Sequence, residues 1–506
     1  MSRMFNKLLR VFNLKKWCAV AERVLLIAAL RGLDQARTAI DLLQEAPRSS
    51  RIKDGRLHGL VLGLALSFST PALAQTTGPA TDSAPAPGSA SAKSVETWAI
   101  RGQATFVDQG TFAFRSPYKG ANSLSPATLG RETSDVTLYA GLRLWSGAEI
   151  WVNPEIDQGF GLSNTLGVAG FPSGEAYKVG KSNPYLKLPR LFLRQTINLG
   201  GASETVNADL NQLKGSRTSD RVVVTIGKLG VTDIFDNNSY AHDPRRDFLN
   251  WSIIDTGSFD YAADAWGFSY GAAVEWYVGR WTARAGVFNL SDIPNSPTLG
   301  TDLSQFQAIV ELEERHTLGG RPGKIEITGF VSRGRMGTFG DAIRLAQMTG
   351  QPADIASVRH YQGRPGIGFN LEQQVSDDLG VFAHGGISDG TIESYEFSDI
   401  DRSLAAGLSL KGARWGRAND TLGAAVVVNG ISKVHEQFLN AGGLGILVGD
   451  GKLPHPGPEA IFETYYDVAA YGSAHVSLDY QFVDNPAYNR DRGPVSILAA
   501  RVHAQF

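Results

Sequence analysis

The sequence of 506 residues has little cysteine and few long apolar segments. Its single cysteine is Cys18, so a disulfide framework and a thiolate zinc site are both excluded for the rest of the chain. After residue 75 no apolar run reaches the length of about 18 residues that a membrane-spanning helix needs. Helical spans are therefore excluded there, which leaves a closed β-barrel as the way to satisfy every backbone group in lipid.

An excess of positive charge is also absent. The chain holds 48 Lys and Arg residues and 50 Asp and Glu residues. Residues 1–74 contain 12 of the basic and 5 of the acidic ones, which leaves 36 basic and 45 acidic residues in the remainder. That remainder has a net charge of −9, which argues against nucleic acid as a partner.

Residues 1–74 have the pattern of an export signal. Basic residues from Arg51 to Arg56 precede an apolar run at 59–68, and Ala72-Leu73-Ala74 matches a signal-peptidase site. A secretory signal normally occupies about 15–30 residues, so we predict a targeting segment with an over-long start, cleaved on export. Residues 75–94, rich in Pro, Ala, Ser and Thr, predict a flexible leader, and 95–506 the folded domain.

The last twelve residues, 495–506, read as the closing strand of a barrel. Leu498, Ala500 and Val502 fall on one face of an extended strand, and Arg501 and His503 fall on the other. The chain ends on an aromatic residue, Phe506, as does the final strand of an outer-membrane barrel at its interface girdle. We expect the barrel-assembly machinery to bind this strand.

Fifteen further segments show the same period-two alternation. They lie near 98–106, 135–144, 148–153, 191–199, 222–226, 266–278, 281–287, 306–315, 323–333, 366–376, 380–388, 402–412, 420–430, 460–468 and 473–483. The pattern predicts an all-β fold: a transmembrane antiparallel barrel of about sixteen strands, with fourteen or eighteen as alternatives. A barrel of that size encloses an aqueous lumen.

The segments between these strands alternate in length. Short turns are predicted at 146–147, 279–280, 377–378 and 417–420, and long loops at 107–134, 154–190, 229–265, 334–365 and 431–459. Short turns on one rim and long loops on the other are typical of barrels. We expect a short helix at 341–348 and a loop at 154–190 that folds into the lumen.

Six stretches of the chain resemble the bacterial carbohydrate-selective porin family, the outer-membrane glucose porin family. They are 137–149 (TLYAGLRLWSGAE), 161–171 (GLSNTLGVAGF), 190–195 (RLFLRQ), 233–238 (DIFDNN), 240–245 (YAHDPR) and 479–494 (DYQFVDNPAYNRDRGP). The resemblance implies an outer-membrane porin for passive, selective diffusion of small, glucose-like carbohydrates. Some members of the family resemble manganese-selective channels, which is the alternative function. The implied partners are sugars or ions in transit, outer-membrane lipid and lipopolysaccharide.

The alternation predicts which side chains line the pore. They are Arg101, Tyr139, Arg143, Glu149, Trp151, Arg194, Glu275, Arg284, Glu326, Glu372 and Arg501. Guanidinium groups donate hydrogen bonds to sugar hydroxyls and carboxylates accept them, and the rings of Tyr139 and Trp151 can stack on a sugar. Alternatively, these charges pair with one another and solvate the wall. Trp266, Trp276 and Trp281 are predicted to face outward, in an interface girdle.

Metal-site and enzyme patterns are weaker. Carboxylates and imidazoles that could bind manganese occur at His242-Asp243, at Asp399 with Asp401, and at Glu311 with Glu313 and Glu314. Each is also explained as a solvated loop, turn or strand face. A G-x-S-x-G match at 267–271 lies within an alternating strand instead of a strand-to-helix turn. We therefore predict no enzyme, no cofactor and no metal, with a hydrolase at the barrel rim as a third alternative.

Overall fold

A computed structural model of the protein describes residues 95–128, 131–176 and 180–506. The predicted targeting segment 1–74 and leader 75–94 lie outside these residues. The described strands are β1 (Trp98–Thr111), β2 (Arg131–Trp145), β3 (Ala148–Gly159), β4 (Lys181–Val206), β5 (Gly215–Leu229), β6 (Ser269–Val278), β7 (Trp281–Asn289), β8 (Phe306–Leu318), β9 (Arg321–Met336), β10 (His360–Gln374), β11 (Leu379–Ser388), β12 (Arg402–Gly412), β13 (Arg417–Gly430), β14 (Glu459–Tyr471), β15 (Ala474–Asp484) and β16 (Val495–Gln505).

Each strand pairs antiparallel with its neighbour in sequence, and β1 also pairs with β16, so the sheet closes into a barrel. The prediction of sixteen antiparallel strands is confirmed. The register across the closing seam places Ala104 opposite Ala504 and Val107 opposite Arg501. Closure leaves no sheet edge with unpaired backbone groups.

Side chains alternate between an apolar outer face and a polar inner face. On β8, the outward Val310 is 61% exposed and Leu312 is 48% exposed, whereas Glu311 and Glu313 between and beside them are buried. Water would favour the opposite arrangement, because exposing apolar surface and burying carboxylates both cost free energy. The outer face therefore suits hydrocarbon, as in transmembrane barrels.

The connections fall into two classes. Those after even-numbered strands contain two to eight residues, and those after odd-numbered strands contain 10 to 39. Because successive strands run in opposite directions, the two classes lie at opposite ends of the barrel. We call these ends the short-turn rim and the long-loop rim.

Three short helices lie in the long connections: α1 (Trp251–Ile254), α2 (Phe339–Thr349) and α3 (Lys433–Asn440). The predicted helix 341–348 lies within α2. The Thr338 side chain caps the start of α2 by accepting from the Asp341 backbone N–H, and Gly350, with φ 70°, ends it. Within the described residues, no helix is long and apolar enough to cross a membrane.

Several boundary predictions are wrong. The loops predicted at 107–134 and 154–190 are shorter, because 107–111, 131–134, 154–159 and 181–190 belong to strands. The strand predicted from Trp266 begins at Ser269, and the Trp266 indole donates to the Tyr185 hydroxyl at 3.0 Å instead of joining an outward girdle. The turn predicted at 417–420 is the start of β13. The actual turn precedes it and ends at Gly416, whose φ of 80° favours glycine.

Candidate functional site

The connection 230–268, which we call the luminal loop, lies inside the barrel. Its backbone groups bond to inward side chains on widely separated strands: the Asp236 N–H to Glu311 of β8 (2.8 Å), the Ser239 N–H to Glu372 of β10 (2.5 Å), the Leu249 N–H to Glu463 of β14 (2.5 Å) and the Pro244 carbonyl to Arg501 of β16 (2.5 Å). A segment that reaches all these strands must cross the lumen.

Arg245 of the luminal loop contacts the opposite wall of the barrel, at β2 and β3. This guanidinium lies 3.4 Å from Asp135 of β2, 3.7 Å from Glu155 of β3 and 3.3 Å from Glu175. Glu175 belongs to the connection 160–180, whose Phe171 ring stacks on Trp251 with centroids 5.4 Å apart. The connection 160–180, which is the part of the predicted loop 154–190 that lies between β3 and β4, therefore folds inward against the luminal loop.

A cavity of about 260 Å³ lies between β4 and the luminal loop. It is lined by Phe192, Arg194, Asn211, Leu229, Asp233, Ile234, Asn237 and His242. The lining combines three apolar side chains with two amides, a carboxylate, a guanidinium and an imidazole. Pockets for drug-sized ligands measure roughly 300–1,000 Å³, so this cavity suits a smaller polar solute that also has an apolar face.

Two charged residues of the cavity lining, Asp233 and His242, belong to ion pairs. The Arg190 guanidinium donates to both Asp233 oxygens, at 2.7 and 2.6 Å. Burial opposes ionisation of Asp233, but Arg190 outweighs it and holds the pKa of this carboxyl below its usual value. His242 Nδ1 lies 3.5 Å from Asp255 Oδ1. Burial lowers the pKa of His242, but Asp255 outweighs burial and raises that pKa to about 9.

The charge on His242 predicts a pH-dependent ion preference. The stabilising pair with Asp255 is fully present below the ordinary histidine pKa of about 6.5 and is lost as pH rises through about 9. We expect anion permeability, measured from reversal potentials in a KCl gradient, to fall between pH 7 and pH 10. His242→Gln should remove this step. An unchanged reversal potential in the wild-type protein over the same range would contradict the assignment.

Five of the predicted lining residues meet on the inner face of β1–β4. The Arg143 guanidinium lies 3.2 Å from the Glu149 carboxylate, which also accepts from the Trp151 indole at 3.1 Å. Arg101 lies 6.0 Å from the centroid of the Trp151 ring. Arg194 pairs in register with Glu149 across β3 and β4, and it alone among the eleven predicted residues lines the cavity. Tyr139 lies opposite Arg101 in register and is buried.

A second group meets around Arg284 of β7. Four carboxylates surround its guanidinium: Glu275 at 3.3 Å, Glu311 at 2.7 Å, Glu313 at 2.7 Å and Glu326 at 3.6 Å. Glu372 and Arg501 lie apart from both groups and bond to the luminal loop. Most of the predicted charges therefore pair within the chain, and their contact with a solute stays a prediction.

The candidate manganese ligands are also paired within the chain. His242 faces Asp255, and the Asp399 carboxylate accepts from the backbone N–H groups of residues 446–448. Asp401 contacts Arg364 and His435. Among the described residues, no group of three or more His, Cys, Asp or Glu side chains is placed to hold a metal ion.

Alternation alone did not identify most of the cavity. Asp233, Asn237 and His242 belong to a loop, where no period assigns a direction. Phe192 lies between two outward leucines of β4 and is buried. Because its side chain is apolar, it does not stand out among the polar residues predicted to face the lumen. The sequence signal for the cavity is the cluster of family-like stretches 190–195, 233–238 and 240–245, which supply six of the eight lining residues.

Comparison with known proteins places this architecture in a family. The model of the family described as carbohydrate-selective porin, OprB family, matches residues 121–506. A search of the curated proteins finds no match.

A solved structure of a porin shares the fold. OprB of Pseudomonas putida, in its high-pH structure, is 15% identical with a TM-score of 0.62, over 81% of this chain and 94% of that one. The outer membrane channel DcaP of Acinetobacter baumannii is 8% identical with a TM-score of 0.46, over 81% of this chain and 97% of that one. The family match spans well over half of the sequence, so the chain belongs to the OprB family of carbohydrate-selective porins.

Proposed function

We propose that the protein is an outer-membrane porin through which glucose-like sugars diffuse passively. The observation that supports this most strongly is the cavity beside the luminal loop, in a chain of the carbohydrate-selective family. Its amide, guanidinium and carboxylate groups supply both donors and acceptors for sugar hydroxyls. The Phe192 ring, whose centroid lies 5.0 Å from the Arg194 guanidinium, adds an apolar group to the lining.

Selectivity in such a channel requires weak binding. A solute must bind well enough to enter the constriction and weakly enough to leave it. The Arg194 guanidinium donates one hydrogen bond to the Asn211 carbonyl at 2.8 Å, which orients the group. In the part of the chain that the structure describes, its other N–H groups have no hydrogen-bond partner and are available to a sugar. Arg190 donates to both oxygens of Asp233, whereas Arg194 is the arginine that lines the cavity, so Arg194 is the cation we assign to solute contact.

The orientation of the barrel in the membrane and its contacts with other molecules follow from its two rims and its apolar outer face. Short turns of outer-membrane barrels face the periplasm and long loops face the exterior, which assigns the two rims. The apolar outer face would contact lipid and lipopolysaccharide. Residues 1–74 would direct export, and the assembly machinery would bind β16.

Sugar block of single channels tests the proposal. Residues 75–506 are reconstituted in planar bilayers, and the current is recorded while glucose is titrated. We expect concentration-dependent block, weakened about tenfold or more in Arg194→Ala, because a hydrogen bond to a charged group contributes about 1.5–3 kcal/mol and tenfold in affinity is about 1.4 kcal/mol. Arg335→Ala, at an exposed position of β9, is the matched control and should bind glucose as the wild type does.

Other results would reject the proposal in distinct ways. Block or selective current with Mn²⁺, together with indifference to glucose, would favour the manganese-selective alternative. The absence of any current would contradict a channel. Equal glucose block in Arg194→Ala and in the wild type would show that Arg194 does not contact the sugar.

A further inference from the structure

The hairpin between β4 and β5 is longer than its neighbours and folds back. The Thr196 N–H bonds to the Gly147 carbonyl at 2.7 Å, which places Thr196 beside the β2–β3 turn at the short-turn rim. β4 nevertheless continues to Val206, which pairs with Gly215. The pairing register shifts on both sides of Gly200. Gly200 has φ 142° and Gly201 φ 82°, a backbone that glycine adopts readily and that lets the chain reverse.

The tip of this hairpin, residues 209–214, contacts inward side chains of β1–β4. Arg101 donates to the Gln212 carbonyl at 3.3 Å, Arg194 to the Asn211 carbonyl at 2.8 Å, and Asn153 to Asn211 Oδ1 at 3.0 Å; the Leu213 N–H donates to Glu149 at 3.4 Å. Asn153 lies six residues along β3 from Gly147, about 20 Å at roughly 3.3 Å per residue. The tip therefore lies well inside the barrel.

The hairpin tip is held firmly in this position. The Lys214 N–H donates to the Glu96 carboxylate at 2.7 Å, and the Glu96 N–H donates to the Lys214 carbonyl at 3.0 Å. The Leu213 side chain is buried among the apolar residues of the lumen, which include Trp151. These hydrogen bonds and the buried apolar contact fix the hairpin tip in the lumen.

Asn211 is the residue of the hairpin tip that lines the cavity. On the side of the long-loop rim, the cavity is lined by residues within 233–242 of the luminal loop. On the side of the short-turn rim, it is lined by Asn211. Asn211 Oδ1 and its carbonyl are occupied by Asn153 and Arg194. Within the described residues its Nδ2 group has no hydrogen-bond partner, so two N–H donors remain for a solute.

We infer that the fold-back hairpin is the short-turn-side lip of the sugar cavity and that Asn211 Nδ2 donates to a sugar hydroxyl, which makes Asn211 a specificity-determining residue. This inference rests on the proposed sugar function. A fixed amide donor distinguishes sugars by the position and orientation of one hydroxyl, because a sugar without a matching acceptor leaves the donor unpaired.

Comparing two epimeric sugars tests the inference. Block constants for glucose and galactose are measured in residues 75–506 and in Asn211→Ala. We expect binding of the preferred sugar to weaken about 2- to 10-fold, the range for one neutral hydrogen bond, and the ratio between the two sugars to shrink. Asn419→Ala, an exposed asparagine at the start of β13, should change neither constant. Unchanged constants and ratio in Asn211→Ala would overturn the inference.

Thiol labelling tests the position of the hairpin independently of sugar. Residues 75–506 contain no cysteine, so Asn211→Cys introduces a single thiol. Reaction with a charged methanethiosulfonate should lower the single-channel conductance, because the adduct would lie in the lumen. Full conductance after verified labelling would overturn the luminal placement. If the wild-type channel conducts but glucose does not block it, the proposed function fails, while a drop on labelling still identifies the hairpin as a luminal element.

Discussion

Arg284→Ala is expected to destabilise the barrel by about 3–5 kcal/mol, the usual cost of leaving buried charges without their partner. The guanidinium contacts Glu275, Glu311, Glu313 and Glu326. Its side chain is 7% exposed, and those of Glu311 and Glu326 are fully buried. Lys324 also contacts Glu326, at 2.9 Å, but it lies on one side of the group. Arg315 likewise contacts Glu313, so removing Arg284 would leave Glu275 and Glu311 without a cationic partner among the described residues, beside two other carboxylates.

Urea unfolding of the refolded barrel in detergent measures this loss. The matched control is Arg280→Ala: its side chain is 65% exposed and contacts only Glu314 among the carboxylates of this wall. Its removal should change stability by less than about 0.5 kcal/mol. Combining Arg284→Ala with Glu311→Gln and Glu313→Gln should recover part of the loss, because fewer charges then need a partner. A stable Arg284→Ala single variant would show that the carboxylates do not depend on this guanidinium.

The strands could be predicted from sequence because two different solvents act on them. Lipid selects apolar side chains on one face and the polar lumen selects the other, so every strand carries a period of two. β16 shows this clearly: Leu498 on the outer face is 46% exposed, and Arg501, three residues further on the inner face, is 1% exposed. Strand ends were predicted less well, because inward-packed loop residues such as Phe268, which is buried, extend an apparent alternation beyond the last ladder bond.

The lumen could be predicted only in part. The period of two predicts which face of a strand a side chain lies on, but the partners of that side chain depend on the register between strands and on the loops. Register brings Glu275 opposite Arg284 and Arg284 opposite Glu311, and no local pattern encodes that. Asn211 was beyond prediction for another reason: a long hairpin can extend into water or fold back, and only contacts such as that with Asn153 decide between them.

Releasing the luminal loop is expected to raise single-channel conductance severalfold. Two residues hold the centre of the loop against β14–β16. Arg501 donates to the carbonyls of Pro244 and Asp247, at 2.5 and 2.8 Å. Glu463 accepts from the backbone N–H groups of Leu249 and Asn250, at 2.5 and 3.0 Å. Without these partners each buried backbone group costs about 1–3 kcal/mol, so water competes for the segment and the loop leaves the wall.

The variant that tests this is Arg501→Ala combined with Glu463→Ala, recorded in planar bilayers beside Ser477→Ala. The Ser477 hydroxyl accepts from Arg501 at 2.9 Å, so its loss alters the same guanidinium while all four bonds to the loop remain. We expect conductance to rise, and glucose block to weaken, only in the double variant, because residues 233–242 of the cavity wall would move with the loop. If conductance stays at the wild-type value, Arg245 and its carboxylates on the opposite wall suffice to hold the constriction.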